Sequence, residues 1–492
     1  MADTIGEGIS VEVTLSIISM DYRLENVIKC LEVGSNKHPD NFIFTSLLDS
    51  IRRGNLPNDA ELRGIFTANH HEEEGQPSPK DNTEISDTKN RIRDLRCNHL
   101  ILSGVRAYPT LEEENTKGFG VDFTNSTLIH ANGHSISSDG VPISTILLGS
   151  NGTGKTSVFT ALEFICKGES SIANAHGYRS QEDQQIFLKH QPNIAPNITL
   201  ICNSERLTYP SDNPNVVAAA FFCCEDDIQV LENGLDYTPY IISQVGFDFI
   251  DNLGQAINRV LDSLLKPSPE DPISAISKER GRLVAEVVAF INWYEDSYLK
   301  DLAAIAKDVI PGIMNDYLRG DCGIEANYYD NSFKIELRLL NSDIIEAPRR
   351  YFNTFRFKLF VVAMKIALAC CVKIIDKVNF PIVIDDVFDA CDFQNKQRIR
   401  GFIRSIVDRH SCLMEEKGIS GLGLQLIFLT QDDIIAQNLY QGIRATETRM
   451  EVKLSRLYHP NDARPEDDVS VPYSNGCLQY RSVTNQIDCN YF

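Results

Sequence analysis

The sequence predicts an α/β fold built on a parallel sheet, and three observations support this. A glycine-rich stretch over residues 149–156 lies between an apolar run and a helix-like segment. A β-branched run at 382–384 is followed by Asp385 and Asp386, as expected for a buried parallel strand that ends in acids. About 230 residues separate Lys155 from Asp385, far more than one or two βα units need. The chain is therefore expected to carry a substantial insertion between two parts of one sheet.

The glycine-rich stretch predicts a nucleoside triphosphate site. It reads Gly149-Ser150-Asn151-Gly152-Thr153-Gly154-Lys155-Thr156, which matches the phosphate-binding loop in its strand-loop-helix context. The glycines let backbone N–H groups converge on phosphates at a helix N-terminus. Lys155 is expected to reach the β- and γ-phosphates of ATP, and the Thr156 hydroxyl to hold Mg²⁺. Ser157, the next residue, completes the expected nucleotide-binding set.

The acid pair is expected at the carboxyl edge of the same sheet. There Asp385 would hold the water shell of Mg²⁺, and Asp386 would face the γ-phosphate and orient or deprotonate the attacking water. The alternative is a strand end that carries a solvated acid pair. A phosphate-binding loop requires an acidic strand of this kind, which favours the catalytic interpretation.

Composition limits the partners and the compartment. The net charge of −21 argues against a surface that binds nucleic acid as a whole. Lys396, Arg398, Arg400 and Arg404 recur at roughly helical spacing and indicate either a DNA contact or, more simply, a solvated helix face.

Thirteen cysteines, with adjacent pairs in apolar segments, are typical of reduced thiols in a cytoplasmic protein. No apolar run is long enough to span a membrane, and the polar first residues predict no signal peptide.

Composition also divides the chain into six expected segments. The insertion is expected to be helical from Ile273 to Leu318 with a break at Pro311, and Tyr328 to Leu340 alternates like one strand that re-enters the core. His70, His71 and the adjacent glutamates are interpreted as an exposed tract in preference to a metal site. The segments are an N-terminal helical module (1–68), a polar linker (69–95), a first lobe with the phosphate-binding loop (96–235), a short helical arm or lid (236–325), a second lobe with the acid pair (326–460), and a flexible tail (461–492).

The split arrangement resembles the ABC-type ATPases of the SMC, RecF and RecN class, in a short-armed form. The resemblance covers about residues 97–460. Residues 97–108 look like the opening strand of that class, and Gly120 to Gly133 like its next hairpin. Residues 389–392 occupy the place of its D-loop, and residues 426–432 look like its last core strand and switch position.

The resemblance implies further site residues. Arg106 would lie near the nucleotide, and Asp392 in the loop that crosses the dimer interface. Gln431 stands where the class usually carries histidine, and Asp386 where many members carry glutamate, which implies slow ATP hydrolysis. Asn353 is the candidate for the signature motif, although an ordinary capped core helix explains that segment nearly as well. Gln229 is the candidate for the Q-loop.

Short-armed ATPases of this build resemble the ATPase subunits of bacterial anti-phage defence systems of the Septu, retron-linked and Lamassu types. The resemblance implies a homodimer with ATP sandwiched between two heads, or a higher oligomer, that controls a separate effector subunit such as a nuclease or toxin. The alternatives are a nucleotide-locked scaffold with little turnover and a RecF-like ATPase of DNA repair or recombination.

Overall fold

The computed structural model describes residues 28, 31–32, 42–52, 57–67, 92–108, 119–125, 140–203, 205–210, 217–231, 237–245, 248–265, 278–318, 322–329, 332–339, 345–388, 391–419, 423–446 and 450–457. These residues belong to two compact units. The first unit comprises Met1–Arg91 and Gly246–Asp301, and the second comprises Ile92–Val245 and Leu302–Phe492.

The described helices and strands alternate along much of the chain, which is the pattern of an α/β protein. They are α1 (Phe42–Arg52), α2 (Asp59–Thr67), β1 (Arg93–Asp94), β2 (Cys97–Ser103), β3 (Phe119–Asp122), β4 (Ser144–Leu148), α3 (Lys155–Lys167), α4 (Ser171–Ala175), α5 (Gln181–Leu188), β5 (Asn197–Cys202), β6 (Arg206–Tyr209), β7 (Phe222–Cys223), α6 (Glu225–Val230), α7 (Thr238–Val245), α8 (Asp248–Leu265), α9 (Lys278–Met314), β8 (Cys322–Tyr329), β9 (Ser332–Leu339), β10 (Ile345–Glu346), α10 (Pro348–Tyr351), α11 (Thr354–Ile375), β11 (Val378–Asn379), β12 (Ile382–Asp385), α12 (Phe393–Glu416), β13 (Leu426–Thr430), α13 (Asp433–Arg444) and β14 (Val452–Arg456).

A five-stranded parallel sheet forms the centre of the second unit. Its order is β14-β4-β13-β12-β7, and each neighbouring pair is parallel. Every residue of β4, β12 and β13 is buried, which explains why these strands are continuous apolar runs in the sequence. The strand before the glycine-rich loop and the strand before the acid pair are thus two apart in one sheet, with β13 between them.

The predicted α/β class, built on a parallel sheet, is confirmed. A second sheet of four antiparallel strands, ordered β3-β2-β5-β6, accompanies the parallel sheet. The strand expected at residues 97–108 is β2, which spans Cys97–Ser103. The expected partner hairpin is described as far as Asn125 and again from Gly140, so the segment Leu128 to Gly133 lies outside the described residues.

Helix α11 forms much of the core of the second unit. It is buried on all sides over most of its 22 residues, as expected of a helix that is apolar all round. The Asn353 side chain caps its first turn by accepting a hydrogen bond from the Arg356 amide at 2.9 Å. Helix α11 packs against α6, α7 and α12.

The first unit brings two distant parts of the sequence together. Helix α2 from the N-terminal segment packs against α8 from the insertion. Arg63 donates to the Ser263 hydroxyl at 2.9 Å, and Arg259 pairs with Asp59 at 3.1 Å. The sequence predicted both helical segments but not their association. The expected domain boundaries remain predictions.

One expectation about the insertion was wrong, and another was correct in part. Pro311 does not break the helix, because α9 continues through it to Met314. A proline costs a helix one amide hydrogen bond and a local clash, and here it does so within the last turn. The strand expected over Tyr328 to Leu340 includes β9 (Ser332–Leu339), but its first two residues are the end of β8, with which β9 forms an antiparallel hairpin in a separate three-stranded sheet with β10.

Several expected segments cannot be compared with the fold. The linker up to residue 91, the His70 and His71 tract and the tail lie outside the described residues, whereas the last residues assigned to the linker form strand β1 (Arg93–Asp94). Among the helices of the described ranges, none has the length and apolar character needed to cross a membrane.

Candidate functional site

Strand β13 holds the glycine-rich loop and the acid pair at one edge of the sheet. The Gly149 amide donates to the Thr430 carbonyl at 3.1 Å, and the Asp386 amide donates to the Leu429 carbonyl at 3.0 Å. Both bonds continue the parallel ladder just beyond the strand ends. The loop after β4 and the acid pair at the end of β12 therefore lie on either side of the carboxyl end of β13.

The glycines of the loop are needed for its backbone path. Gly152 and Gly154 have φ angles of 87° and 92°, in the left-handed region that favours glycine. A Cβ on Gly154 would also lie 2.7 Å from the Tyr108 hydroxyl oxygen. Tyr108 is fully buried, and its hydroxyl donates to the Gly154 carbonyl at 3.2 Å. The loop is thus closely packed against the segment that follows β2.

The lysine and the two threonines of the loop have distinct environments. Lys155 is 5% exposed, and its Nζ donates to the Gly149 carbonyl at 2.7 Å and the Ser150 carbonyl at 3.3 Å. The ammonium group is therefore held against the loop backbone. The Thr153 hydroxyl donates to the Ser150 carbonyl at 2.8 Å, which closes the turn. Thr156 lies in the first turn of α3 and makes a side-chain hydrogen bond to Asp385.

Asp385 is a buried carboxylate with unmet bonding capacity. It is 6% exposed, and its Oδ1 atom has no hydrogen-bond partner in the part of the chain that the structure describes. Burial and the neighbouring charge of Asp386 raise the pKa of Asp385 to about 7, while Lys155 and the Thr156 hydrogen bond act in the opposite direction. A buried carboxylate of this kind is costly unless a cation pairs with it. Asp385 and the Thr156 hydroxyl are the oxygen ligands that suit Mg²⁺.

Asp386 lies at the turn that ends β12. Its φ of 47° is in the left-handed region, which is uncommon for a residue with a side chain and costs about 1 kcal/mol or more. The bond from its amide to Leu429 fixes this conformation.

Glu163 is a buried acid that the sequence analysis missed. It lies on α3, is fully buried, and accepts hydrogen bonds from Lys167 at 3.0 Å and from the hydroxyls of Ser170 and Ser171 at 2.8 Å each. Its negative charge also raises the pKa of Asp385. The available signal was a lone acid within the otherwise apolar helical stretch 158–166.

Arg106 lies beside the start of α3. The neighbouring Ala107 amide donates to the Ser157 hydroxyl at 3.4 Å. The guanidinium of Arg106 stacks 4.0 Å above the centre of the Phe187 ring. Its Nη1 atom is buried and finds no acceptor among the described residues. Burial lowers the pKa of Arg106 and Tyr178 acts in the opposite direction, but arginine stays charged at neutral pH.

The remaining predicted site residues lie at two helix starts, after β13 and on α6. Asn353 caps α11, and Asp392 caps α12 by accepting from the Asn395 amide at 2.8 Å. Both are exposed, with side chains bonded to their own helices. Gln431 is exposed directly after β13, at the same sheet edge as the loop. Gln229 lies on α6, and its side chain is outside the description.

A second buried polar cluster lies where the Q-loop was expected. Lys365 of α11 is 2% exposed and pairs with Asp227 of α6 at 2.9 Å. Asp227 also accepts from the Tyr240 hydroxyl at 3.1 Å, and Lys365 donates to Gln244. The sequence analysis missed this cluster because Lys365 lies within a long apolar helix and gave no indication of its partner.

The basic residues expected on one helix lie on α12 and are largely paired. Lys396 pairs with Asp432, Arg404 pairs with Asp408 at 3.3 Å, and Arg400 donates to Gln441 at 3.1 Å. These contacts favour the solvated face over the DNA contact.

Comparison with known proteins gives a likeness in fold. No family model and no curated protein matches the chain. A structure of the recombination mediator protein RecF with ATPrS in the RecFOR pathway has a TM-score of 0.42 at 11% identity, over 79% of this chain and 99% of that chain. A RecF–ATP structure has a TM-score of 0.38 at 10% identity, over 75% of this chain and 98% of that chain. A likeness of this degree carries no conclusion about function, which must rest on the residues of the site.

Proposed function

We propose that this chain binds ATP with Mg²⁺ and hydrolyses it slowly. The observation that carries the proposal is the shared sheet edge, where β13 holds the glycine-rich loop on one side and the acid pair on the other. The orphaned Oδ1 atom of Asp385, next to Thr156, supports a cation at this edge.

Each residue has one role in the proposed reaction. The loop amides and Lys155 bind the phosphates, and Thr156 and Asp385 hold Mg²⁺, which would supply charge neutralisation on the β- and γ-phosphates. Asp386, one residue beyond the metal ligand, orients the attacking water and accepts its proton. Gln431 contacts the γ-phosphate by hydrogen bonding. A glutamine cannot exchange a proton at neutral pH, which is consistent with slow turnover.

Turnover and bound nucleotide test this proposal. The purified chain is assayed for ATP hydrolysis beside Lys155→Ala and Asp386→Asn, and the nucleotide that co-purifies is extracted and identified. Loss of hydrolysis in both variants, with ATP binding kept in Asp386→Asn, is the expected result. A wild-type chain that neither binds nor hydrolyses ATP would refute the proposal.

A nucleotide-locked scaffold is the second candidate. The glutamine at position 431 favours it, because an amide cannot transfer a proton to or from the reacting water. The aspartate at 386 also favours it, because the resemblance places it where many members of the class carry the longer glutamate. Tightly bound ATP in the wild-type chain, with no turnover, would establish this candidate and remove Asp386 from the catalytic residues.

We propose further that the ATPase is a cytoplasmic sensor or scaffold subunit of a bacterial anti-phage defence complex, acting as a homodimer or higher oligomer on a separate nuclease or toxin. The short insertion, with two described helices longer than 15 residues, supports this assignment. A RecF-like role in DNA repair is the alternative, which the net charge of −21 disfavours. A nuclease or toxin gene beside this one, and phage protection that Lys155→Ala abolishes, would support defence. DNA-stimulated turnover without such a neighbour would support repair.

A further inference from the structure

The surface beside Arg106 presents an unusual group of exposed aromatic and apolar side chains. Tyr178 is 37% exposed and Ile186 is 59% exposed. The ring of the half-buried Phe187 lies 5.1 Å from that of Tyr178 and 6.1 Å from that of His176. Within the residues that the structure describes, no helix or strand packing explains why these groups face the solvent together. We call Tyr178, Phe187 and Arg106 the aromatic step.

Short contacts connect the aromatic step to the glycine-rich loop. The Arg106 amide donates to the Leu188 carbonyl at 2.9 Å, which ties the segment 106–108 to the end of α5. The same segment contacts the start of α3 through the Ala107–Ser157 and Tyr108–Gly154 hydrogen bonds. Phosphates held at the start of α3 therefore lie next to this segment, and the rest of a nucleotide must extend away from them along the neighbouring surface.

The backbone that carries Tyr178 is fixed, although its ring is exposed. The Tyr178 carbonyl accepts from the Gln184 side chain at 2.6 Å, and the same amide group donates to Asn174 at 2.7 Å. Gln184 is 2% exposed, and its oxygen accepts from the Ser170 amide at 3.0 Å. An aromatic ring on a rigid backbone binds a planar ligand with little loss of conformational entropy.

We propose that the aromatic step binds the nucleobase of the nucleotide and that it favours purines. This inference rests on the proposed binding of ATP at the loop. A base stacks on the exposed ring of Tyr178, and the guanidinium of Arg106, stacked on Phe187, places a positive charge beside the nucleotide. Any base can stack on the ring, since every base has a π face, but a purine covers more of the ring than a pyrimidine does.

Binding of ATP is compared with binding of inorganic tripolyphosphate, which has the phosphates but no base. Both are titrated calorimetrically, with Mg²⁺, into the wild-type chain, Tyr178→Ala and Tyr178→Phe. The matched control is Tyr329→Ala, because Tyr329 is 41% exposed and lies on β8. CTP binding to the wild-type chain measures the purine preference.

We expect Tyr178→Ala to weaken ATP binding about tenfold, which is the usual scale for loss of one stacked base, with tripolyphosphate binding unchanged. Tyr178→Phe keeps the ring and should bind ATP as the wild type does, as should Tyr329→Ala. Unchanged ATP affinity in Tyr178→Ala would overturn the inference while leaving the proposed ATPase intact, and so would an equal loss for both ligands. A wild-type chain that binds neither ligand would overturn the proposed function and this inference together.

Discussion

Removal of the buried charge at Asp385 should stabilise the protein while it abolishes the metal site. The pKa of Asp385 is raised from its usual 3.8 to about 7 by burial and by the charge of Asp386. The folded chain therefore retains a proton that the unfolded chain has released between about pH 4 and pH 7. Stability from this group is fully present below pH 4 and is lost as the pH rises through 7.

The expected size of the effect follows from that difference in pKa. Each pKa unit corresponds to about 1.4 kcal/mol, so the raised pKa of Asp385 costs the metal-free fold about 2 kcal/mol at pH 5.5, where folding takes up a proton, and about 4 kcal/mol at pH 8, where the carboxylate is ionised in the fold. Asp385→Asn keeps the shape and the capacity to bond to Thr156 without the charge. Its stability advantage over the wild type should therefore grow with pH by about 2 kcal/mol over this range.

Urea unfolding followed by circular dichroism, with EDTA present, measures this advantage at pH 5.5 and pH 8. The control is Asp433→Asn, which removes a carboxylate whose side chain is 68% exposed and should change stability by less than about 0.5 kcal/mol at either pH. An Asp385→Asn variant that is less stable than the wild type, or whose advantage does not change with pH, would refute the reasoning.

Three further predictions concern the loop, the acid turn and the second buried cluster. Gly154→Ala should lose most ATP affinity in binding titrations, because its Cβ would clash with Tyr108. A Cβ at Gly152 meets open space, so Gly152→Ala should show only the backbone cost of about 1 to 2 kcal/mol in unfolding assays. Equal effects of the two substitutions would contradict the packing described for Tyr108. Lys365→Met leaves Asp227 buried without its cation and should lower the free energy of unfolding by about 3 kcal/mol. The double variant Lys365→Met/Asp227→Asn should recover much of this loss. Additive losses in a double-mutant cycle would show that the two residues are not coupled. Asp386→Gly should relieve the left-handed strain at φ 47° and raise the metal-free melting temperature by a few degrees while abolishing turnover; retained turnover would remove Asp386 from the mechanism.

The parts of the fold that the sequence predicted are those that depend on local pattern. The runs 146–148 and 382–384 are apolar, the second is β-branched throughout, and both lie in buried parallel strands. The glycines and Lys155 of the loop form a contiguous motif. The apolar stretch from Leu359 is the core of α11. In each case a segment of a few residues contains the whole signal.

The parts that the sequence did not predict depend on pairing between distant residues. Asp227 and Lys365 are 138 positions apart in sequence, and neither indicates the other. The hydrogen bond between Arg63 and Ser263 spans 200 positions. The strand expected over Tyr328 to Leu340 took in the last two residues of β8, because the alternation does not mark where β8 ends and β9 begins, and the pairing partner was not predicted. Pro311 was taken for a helix break because local propensity says nothing about the packing that sustains a helix through a proline.

Equilibrium binding of ATP with and without Mg²⁺ tests the central claim most directly, with the wild-type chain, Lys155→Ala and Asp385→Asn measured side by side. We expect the wild-type chain to bind one ATP with an affinity that Mg²⁺ increases, Lys155→Ala to lose binding in both conditions, and Asp385→Asn to bind ATP with no response to Mg²⁺. A full response to Mg²⁺ in Asp385→Asn, or no ATP binding by the wild-type chain, would contradict the account.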